Sequence, residues 1–155
     1  WNGFAASEGV VTRVRLPGSP WVRVDHALER GARVSARYDT LLAKVIAYGW
    51  NRLEAVERLE AALRDMVVGG VETNLDLLRA VVGSGWFRSG SYDTWTLEER
   101  LPELLEAAGE ARALAAEAAR ALPLTPAAPG GAAAAGAVAW HGWPRRYWAP
   151  PAGAR

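Results

Sequence analysis

Gly9-Val10-Val11-Thr12-Arg13-Val14-Arg15-Leu16-Pro17-Gly18-Ser19-Pro20-Trp21-Val22-Arg23-Val24-Asp25 is the stretch that sets the fold class. Val10, Thr12, Val14 and Leu16 fall on one side of an extended chain and Val11, Arg13 and Arg15 on the other, the period-2 pattern of a half-buried strand. Pro17-Gly18-Ser19-Pro20 supplies a turn, because proline fixes φ and glycine tolerates positive φ. Trp21 to Asp25 resumes the alternation. The two strands are predicted to be neighbours in an antiparallel sheet. A second turn is expected near Glu29-Arg30-Gly31, then a strand over Ala32 to Ala36. The apolar run Leu41 to Tyr48 reads as a buried strand or a short helix, between which periodicity does not decide.

Downstream the period changes. Asn51 with Glu54 three residues on is a capping-box-like start, and Leu53, Val56, Leu59, Leu63 and Met66 recur at helical spacing, with Gly69-Gly70 as the expected stop. A further helix is predicted from about Asn74 to Val82, with Leu75, Leu78 and Val82 inward and Gly83 ending it. Thr96-x-x-Glu99 reads as another capping box, opening an Ala, Leu and Glu-rich stretch of one or two helices that runs to Leu122. From Pro123 to Gly136 the chain is almost wholly Pro, Ala and Gly, too poor in bulky apolar groups to offset the entropy of ordering it. The tryptophans of Trp140-His141-Gly142-Trp143-Pro144-Arg145-Arg146-Tyr147-Trp148 suggest the start of a further module. The expected fold is therefore α+β. It comprises a small antiparallel sheet or barrel-like β unit with packed helices over 1–97, an Ala-rich helical extension over 98–122, and a linker with a flexible, Trp-rich tail over 123–155.

Composition excludes several classes of function. The chain has 155 residues, half of them apolar, and a formal net charge of +1, the profile of a globular domain. Its 18 basic residues are interspersed with 17 acids, so no basic stripe marks a nucleic-acid partner. Cysteine is absent, which removes disulfides, thiolate catalysis and thiolate metal sites and leaves no need for an oxidising compartment. His26 and His141 are far apart and lack ligand spacing, so no protein-only metal site is expected. No apolar run is long enough to span a bilayer, and Trp1 follows no start Met or signal pattern, which suggests a fragment. The glycines form neither G-x-x-x-x-G-K-[ST] nor G-x-G-x-x-G, and no serine stands in G-x-S-x-G. One local oddity remains: Arg23-x-Asp25 on a strand, then Tyr38-Asp39 before an apolar run that holds the single lysine, Lys44. From the residues alone, Lys44 either reaches solvent or pairs with a carboxylate, and Arg23 is an exposed strand arginine.

The order of landmarks carries more. Gly9-Val10-Val11-Thr12-Arg13-Val14, Pro17-Gly18, Val22-Arg23-Val24-Asp25, Gly31, Tyr38-Asp39, Ala43-Lys44-Val45-Ile46, Gly49 and Asn51-Arg52 resemble the biotin carboxylase C-terminal domain in sequence and spacing. Ala55, Arg58, Ala62-Leu63, Gly70-Val71-x-Thr73-Asn74, Phe87, Gly90 and Thr94 continue the resemblance, which spans roughly residues 3 to 100. Two departures concern stiffness. Prolines common in the family are absent at Ala6 or Glu8, and its Pro-x-Tyr-Asp-Pro pattern reads Ala36-Arg37-Tyr38-Asp39-Thr40 here.

The resemblance implies a parent ligase that uses ATP and magnesium to activate bicarbonate and then carboxylates a ureido nitrogen of biotin held on a carrier protein. It implies that the ATP-grasp lobes lie upstream of Trp1, that this chain alone binds no cofactor and is inactive, and that Arg23 is the one catalytic residue it supplies. It also implies a homodimer built partly from the region Tyr48 to Arg52 and the following helix, and partners in the ATP-grasp region, a biotin carboxyl carrier domain and a carboxyltransferase subunit. No nucleic acid or membrane partner is expected, and the cytoplasm is the expected compartment. The competing expectation is a non-catalytic structural or dimerisation module.

Overall fold

The computed structural model describes residues 5–37 and 39–121. Five short strands, β1 (Gly9–Val10), β2 (Arg13–Arg15), β3 (Val22–His26), β4 (Arg33–Val34) and β5 (Ala43–Ala47), precede the first of five helices, and a sixth, β6 (Val67–Gly69), lies between the first two helices. The helices are α1 (Arg52–Asp65), α2 (Leu75–Gly83), α3 (Gly85–Ser89), α4 (Thr96–Glu99) and α5 (Leu101–Ala121). The expected α+β class holds. The Pro, Ala and Gly linker and the Trp-rich tail lie outside the described residues.

The strands pair as three antiparallel ribbons, β1 with β4, β2 with β6 and β3 with β5. The expected pairing of the first two strand segments across Pro17–Pro20 is therefore corrected. Val22 N–H does donate to Ser19 O at 3.1 Å, so the turn forms, but it delivers β3 to β5 rather than back to β2. The expected single strand over residues 9–16 is also broken. Val11 N–H donates to Ala32 O at 2.9 Å, whereas Thr12 N–H donates to Gly69 O at 2.8 Å, so the chain changes partner between adjacent residues. The side-chain phase shifts there too: Val11 is fully buried and Val10 exposed, while Val14 and Leu16 face the core further on. Thr12 and Arg13 are two successive exposed residues, which is how an extended chain absorbs one residue of slippage.

The three ribbons surround one apolar cluster. Val11, Leu28 and Met66 are its buried centre, and Val14, Val34, Val45 and Val68 pack on it from all three ribbons. Of the expected sheet or barrel-like β unit, the structure shows small antiparallel sheets of two strands each. A second cluster of Val56, Leu63 and Val82 joins α1 to α2, with Val45 of β5 contacting both clusters. Ribbon and helix layer thus share a residue, and β5 is held from both sides.

The helices refine the sequence reading. Asn51 caps α1, its Oδ1 accepting from Glu54 N–H at 2.9 Å, while the Glu54 carboxylate accepts from Trp50 N–H at 2.7 Å, one residue before the cap. Leu53, expected inward, is exposed, as is Leu78 of α2, whose place is taken by buried Leu77. Gly69-Gly70 does not end α1. The helix stops at Asp65, Met66 turns extended at φ −72° and ψ 133°, and Val67–Gly69 pairs with β2. The orphan carbonyls of Leu63 and Met66 are met by the Arg79 guanidinium, each at 2.9 Å, which lets the helix end abruptly. Before α4, Asp93 rather than Thr96 does the capping. Its Oδ1 accepts from the backbone N–H of Trp95 and of Thr96, each at 3.0 Å, and from Thr96 Oγ1 at 2.8 Å. The Ala-rich stretch is two helices, the second of which buries Leu104 and Ala108.

Candidate functional site

The candidate catalytic residue Arg23 is the second residue of β3, opposite Ile46 of β5; Asp25 lies two residues on, opposite Lys44. Spacing of two on a strand puts Arg23 and Asp25 on one side of the ribbon, with Val22 and Val24 on the other. The two side chains meet edge to edge. Arg23 Nε donates to Asp25 Oδ1 at 2.8 Å and Nη2 donates to Oδ2 at 2.9 Å, a bidentate, charge-assisted pair. Both are about one third exposed, at 36% and 32%, so the pair faces outward without being freely solvated.

Electrostatics follow from this geometry. The hydrogen bonds from Arg23 hold the Asp25 carboxyl below its usual range, partly opposed by desolvation, and the charges of Arg23, Lys44 and His26 lower it further. Asp25 in turn raises the Arg23 guanidinium, chiefly through the same hydrogen bonds. Lys44 is exposed and near enough to act on Asp25 across the ribbon, so the sequence's two options for it merge: solvent contact and a carboxylate neighbour. Along this face the charges run plus, minus, plus.

The ribbon's position is set by α1. Arg58 donates through Nη1 to Tyr48 O at 2.8 Å, stands 4.3 Å from the centre of the Trp21 ring and pairs with Glu54. Tyr48 N–H donates to Trp21 O at 2.9 Å, and the two rings stack with centroids 6.2 Å apart. One arginine therefore fastens the start of β3 and the end of β5 to the helix, two residues from Arg23. The approach is close: a Cβ on Gly49 would lie 2.4 Å from Ala55 N, so only glycine fits there.

Sequence reading singled out Arg23, Asp25 and Lys44 and the structure brings them together. Asp39 stands apart, its Oδ1 accepting from Leu41 N–H at 3.3 Å, and Tyr38 lies outside the described residues. What the sequence missed is the reach of Arg58 to Trp21 and Tyr48, which spans non-local contacts. Among the described residues no group of three or more His, Asp or Glu could hold a metal, and no helix is long and apolar enough to cross a membrane.

Residues 1–99 match the family model of the biotin carboxylase C-terminal domain. The chain belongs to that family. Biotin carboxylase 2 of Bacillus subtilis (strain 168) is 39% identical over 98 residues, covering 63% of this chain and 22% of that protein. The biotin carboxylase domain dimer of Hydrogenobacter thermophilus 2-oxoglutarate carboxylase, solved with MgADP, ADP and bicarbonate, is 36% identical with a TM-score of 0.63, covering 66% of this chain and 22% of that one. A single-chain, multi-domain long-chain acyl-CoA carboxylase is 35% identical with a TM-score of 0.61, covering 77% of this chain and 11% of that one. The chain spans less than a quarter of the length of the curated relatives it matches. It carries the biotin carboxylase C-terminal domain over residues 1–99.

Proposed function

We propose that this chain forms the bicarbonate and biotin face of an ATP-dependent biotin carboxylase, a ligase that joins a carboxyl group to a ureido nitrogen of carrier-bound biotin. The observation that carries the reading is the outward guanidinium of Arg23, fixed by Asp25 on a ribbon clamped to α1. As the ureido nitrogen loses its proton, negative charge develops on the ureido oxygen. A permanently protonated, preorganised guanidinium stabilises that charge and a neighbouring bicarbonate, and pays little reorganisation at the moment of reaction. ATP and magnesium, which the relatives' lobes would hold, supply the activation of bicarbonate. The described residues offer no carboxylate cluster for that metal, so no step here runs through it. The chain alone is expected to hydrolyse no ATP.

The partners follow the same reading: ATP-grasp lobes, a biotin carboxyl carrier domain, a carboxyltransferase and a second copy of the domain, in the cytoplasm. Exposed Trp50 and Leu53, beside Tyr48 at the start of α1, favour a dimer face there. They also keep a purely structural, dimerising role as the second reading. The likeness to the long-chain acyl-CoA carboxylase reaches beyond the shared family segment. It favours a helical extension after the family segment that leads toward a carrier and acyl-CoA chemistry.

In the intact carboxylase, Arg23→Ala is expected to slow biotin carboxylation by about 10²–10³-fold while leaving the KM for ATP close to normal. Arg23→Lys returns the charge without the planar fork and should recover only part of the rate. Steady-state kinetics with thermal melts as a folding control decide it. Near-normal carboxylation by a folded Arg23→Ala enzyme would leave the structural, dimerising role.

A further inference from the structure

We propose that Asp25 is a positioning residue: by taking the side edge of the Arg23 guanidinium, it turns the free end of that group outward as the fork that receives an oxyanion. The inference rests on the reading of Arg23 given above and assigns the residue that makes it work.

A guanidinium carries five N–H donors in one plane, and a carboxylate can meet it on the side edge, through Nε and one Nη, or on the end, through both Nη atoms. Asp25 takes the side edge, using Nε and Nη2. Both N–H groups of Nη1 and the second one of Nη2 are left; one from each of these nitrogens points off the end and forms the fork, while the other Nη1 N–H lies along the opposite side edge. No other hydrogen bond or ion pair of Arg23 occurs among the described residues. The end fork is thus the edge an anion or a developing alkoxide-like oxygen meets. Had the carboxylate taken the end, the same ion pair would have blocked the site.

Two further features suit Asp25 to this task. It sits on the same strand as Arg23, with one residue between them and both residues in register with β5, so the pair moves as one body. An arginine alone would sample several rotamers and lose part of its binding energy to being ordered. The cost of the arrangement is that a carboxylate cancels some of the positive charge. Lys44, in register opposite Asp25, restores a net positive face, so the anion meets an oriented cation rather than a neutral pair.

The test is a mutant cycle in the intact carboxylase, with free biotin, ATP and bicarbonate. Asp25→Asn keeps the size but offers one acceptor and no charge. It should lower kcat for biotin carboxylation on the order of tenfold, as for residues in direct contact, with the KM for ATP unchanged. Asp25→Glu, which restores two charged acceptors on a longer arm, should recover part of the loss. In an Arg23→Ala background Asp25→Asn should cost nothing more. A full rate for Asp25→Asn beside a damaged Arg23→Ala would overturn the positioning role and leave the Arg23 reading intact. Equal damage by Asp25→Asn with and without Arg23 would overturn it as well, since Asp25 would then act independently. An unimpaired Arg23→Ala enzyme would remove both.

Discussion

Gly70 shows how one position can hold a fold together. Its φ is 94°, and a Cβ there would stand 2.0 Å from Val10 O and 2.8 Å from Thr12 N, at the point where the chain leaves β6 and passes the junction of β1 and β2. Both the left-handed backbone and the missing space demand glycine. Gly70→Ala should therefore destabilise the domain by about 3 kcal/mol, the sum of the left-handed penalty and a backbone shift. Urea melts measure it, and an alanine variant as stable as the parent would refute the contact. The sequence shows that Gly69-Gly70 is a break but not which break, because Val10 and Thr12 lie some sixty positions away in the chain. Arg23 and Asp25 were easier to place. Two charges two apart in an apolar alternation must share a face, whatever the strand pairs with, and that much was legible from Val22-Arg23-Val24-Asp25 alone. The edge on which they meet was not, since it depends on rotamers.

At the scale of elements, legibility tracks length. The fourteen residues of α1 carry several turns of helical period and a capping residue, and the element begins where the pattern puts it. β6 has three residues, fewer than a period-2 pattern needs to declare itself, and it was hidden inside the expected helix stop. Strand pairing was misread for a related reason. A turn between two strands says that the chain reverses, while the partner is chosen by core contacts such as Val45 on both clusters.

The short turn before α4 gives a pH prediction. Hydrogen bonds from Thr96 and from the backbone N–H of Trp95 hold the Asp93 carboxyl below its ordinary range. A folded pKa below the unfolded one means that the unfolded chain binds the proton more readily. The stabilisation is then complete above the usual carboxylate value and is lost as pH falls through the depressed folded one. Asp93→Ala should lower the melting temperature at neutral pH, and the gap to the parent should close as pH falls below about 4. A gap that stays constant over that range would mean that Asp93 acts through something other than its charge.

The whole molecule divides labour between a β unit that displays Arg23 and a helix layer that fastens the unit in place. The family was legible because its landmarks are turn glycines, a strand arginine and a cap, each of which answers to a local physical demand. The topology was not, because three ribbons of two strands share no single sheet for a pattern to follow. If the described residues do the work of a biotin carboxylase C-terminal domain, they should do it on a relative's frame. The most direct measurement replaces the matching 98-residue stretch of Bacillus subtilis biotin carboxylase 2 with that of this chain and follows ATP-dependent carboxylation of free biotin. The 155-residue chain alone serves as the control and should turn over no ATP. The expected result is a chimera that carboxylates biotin and that loses about 10²–10³-fold of its rate on Arg23→Ala. A folded, ATP-binding chimera that carboxylates no faster than its own Arg23→Ala variant would contradict the assignment.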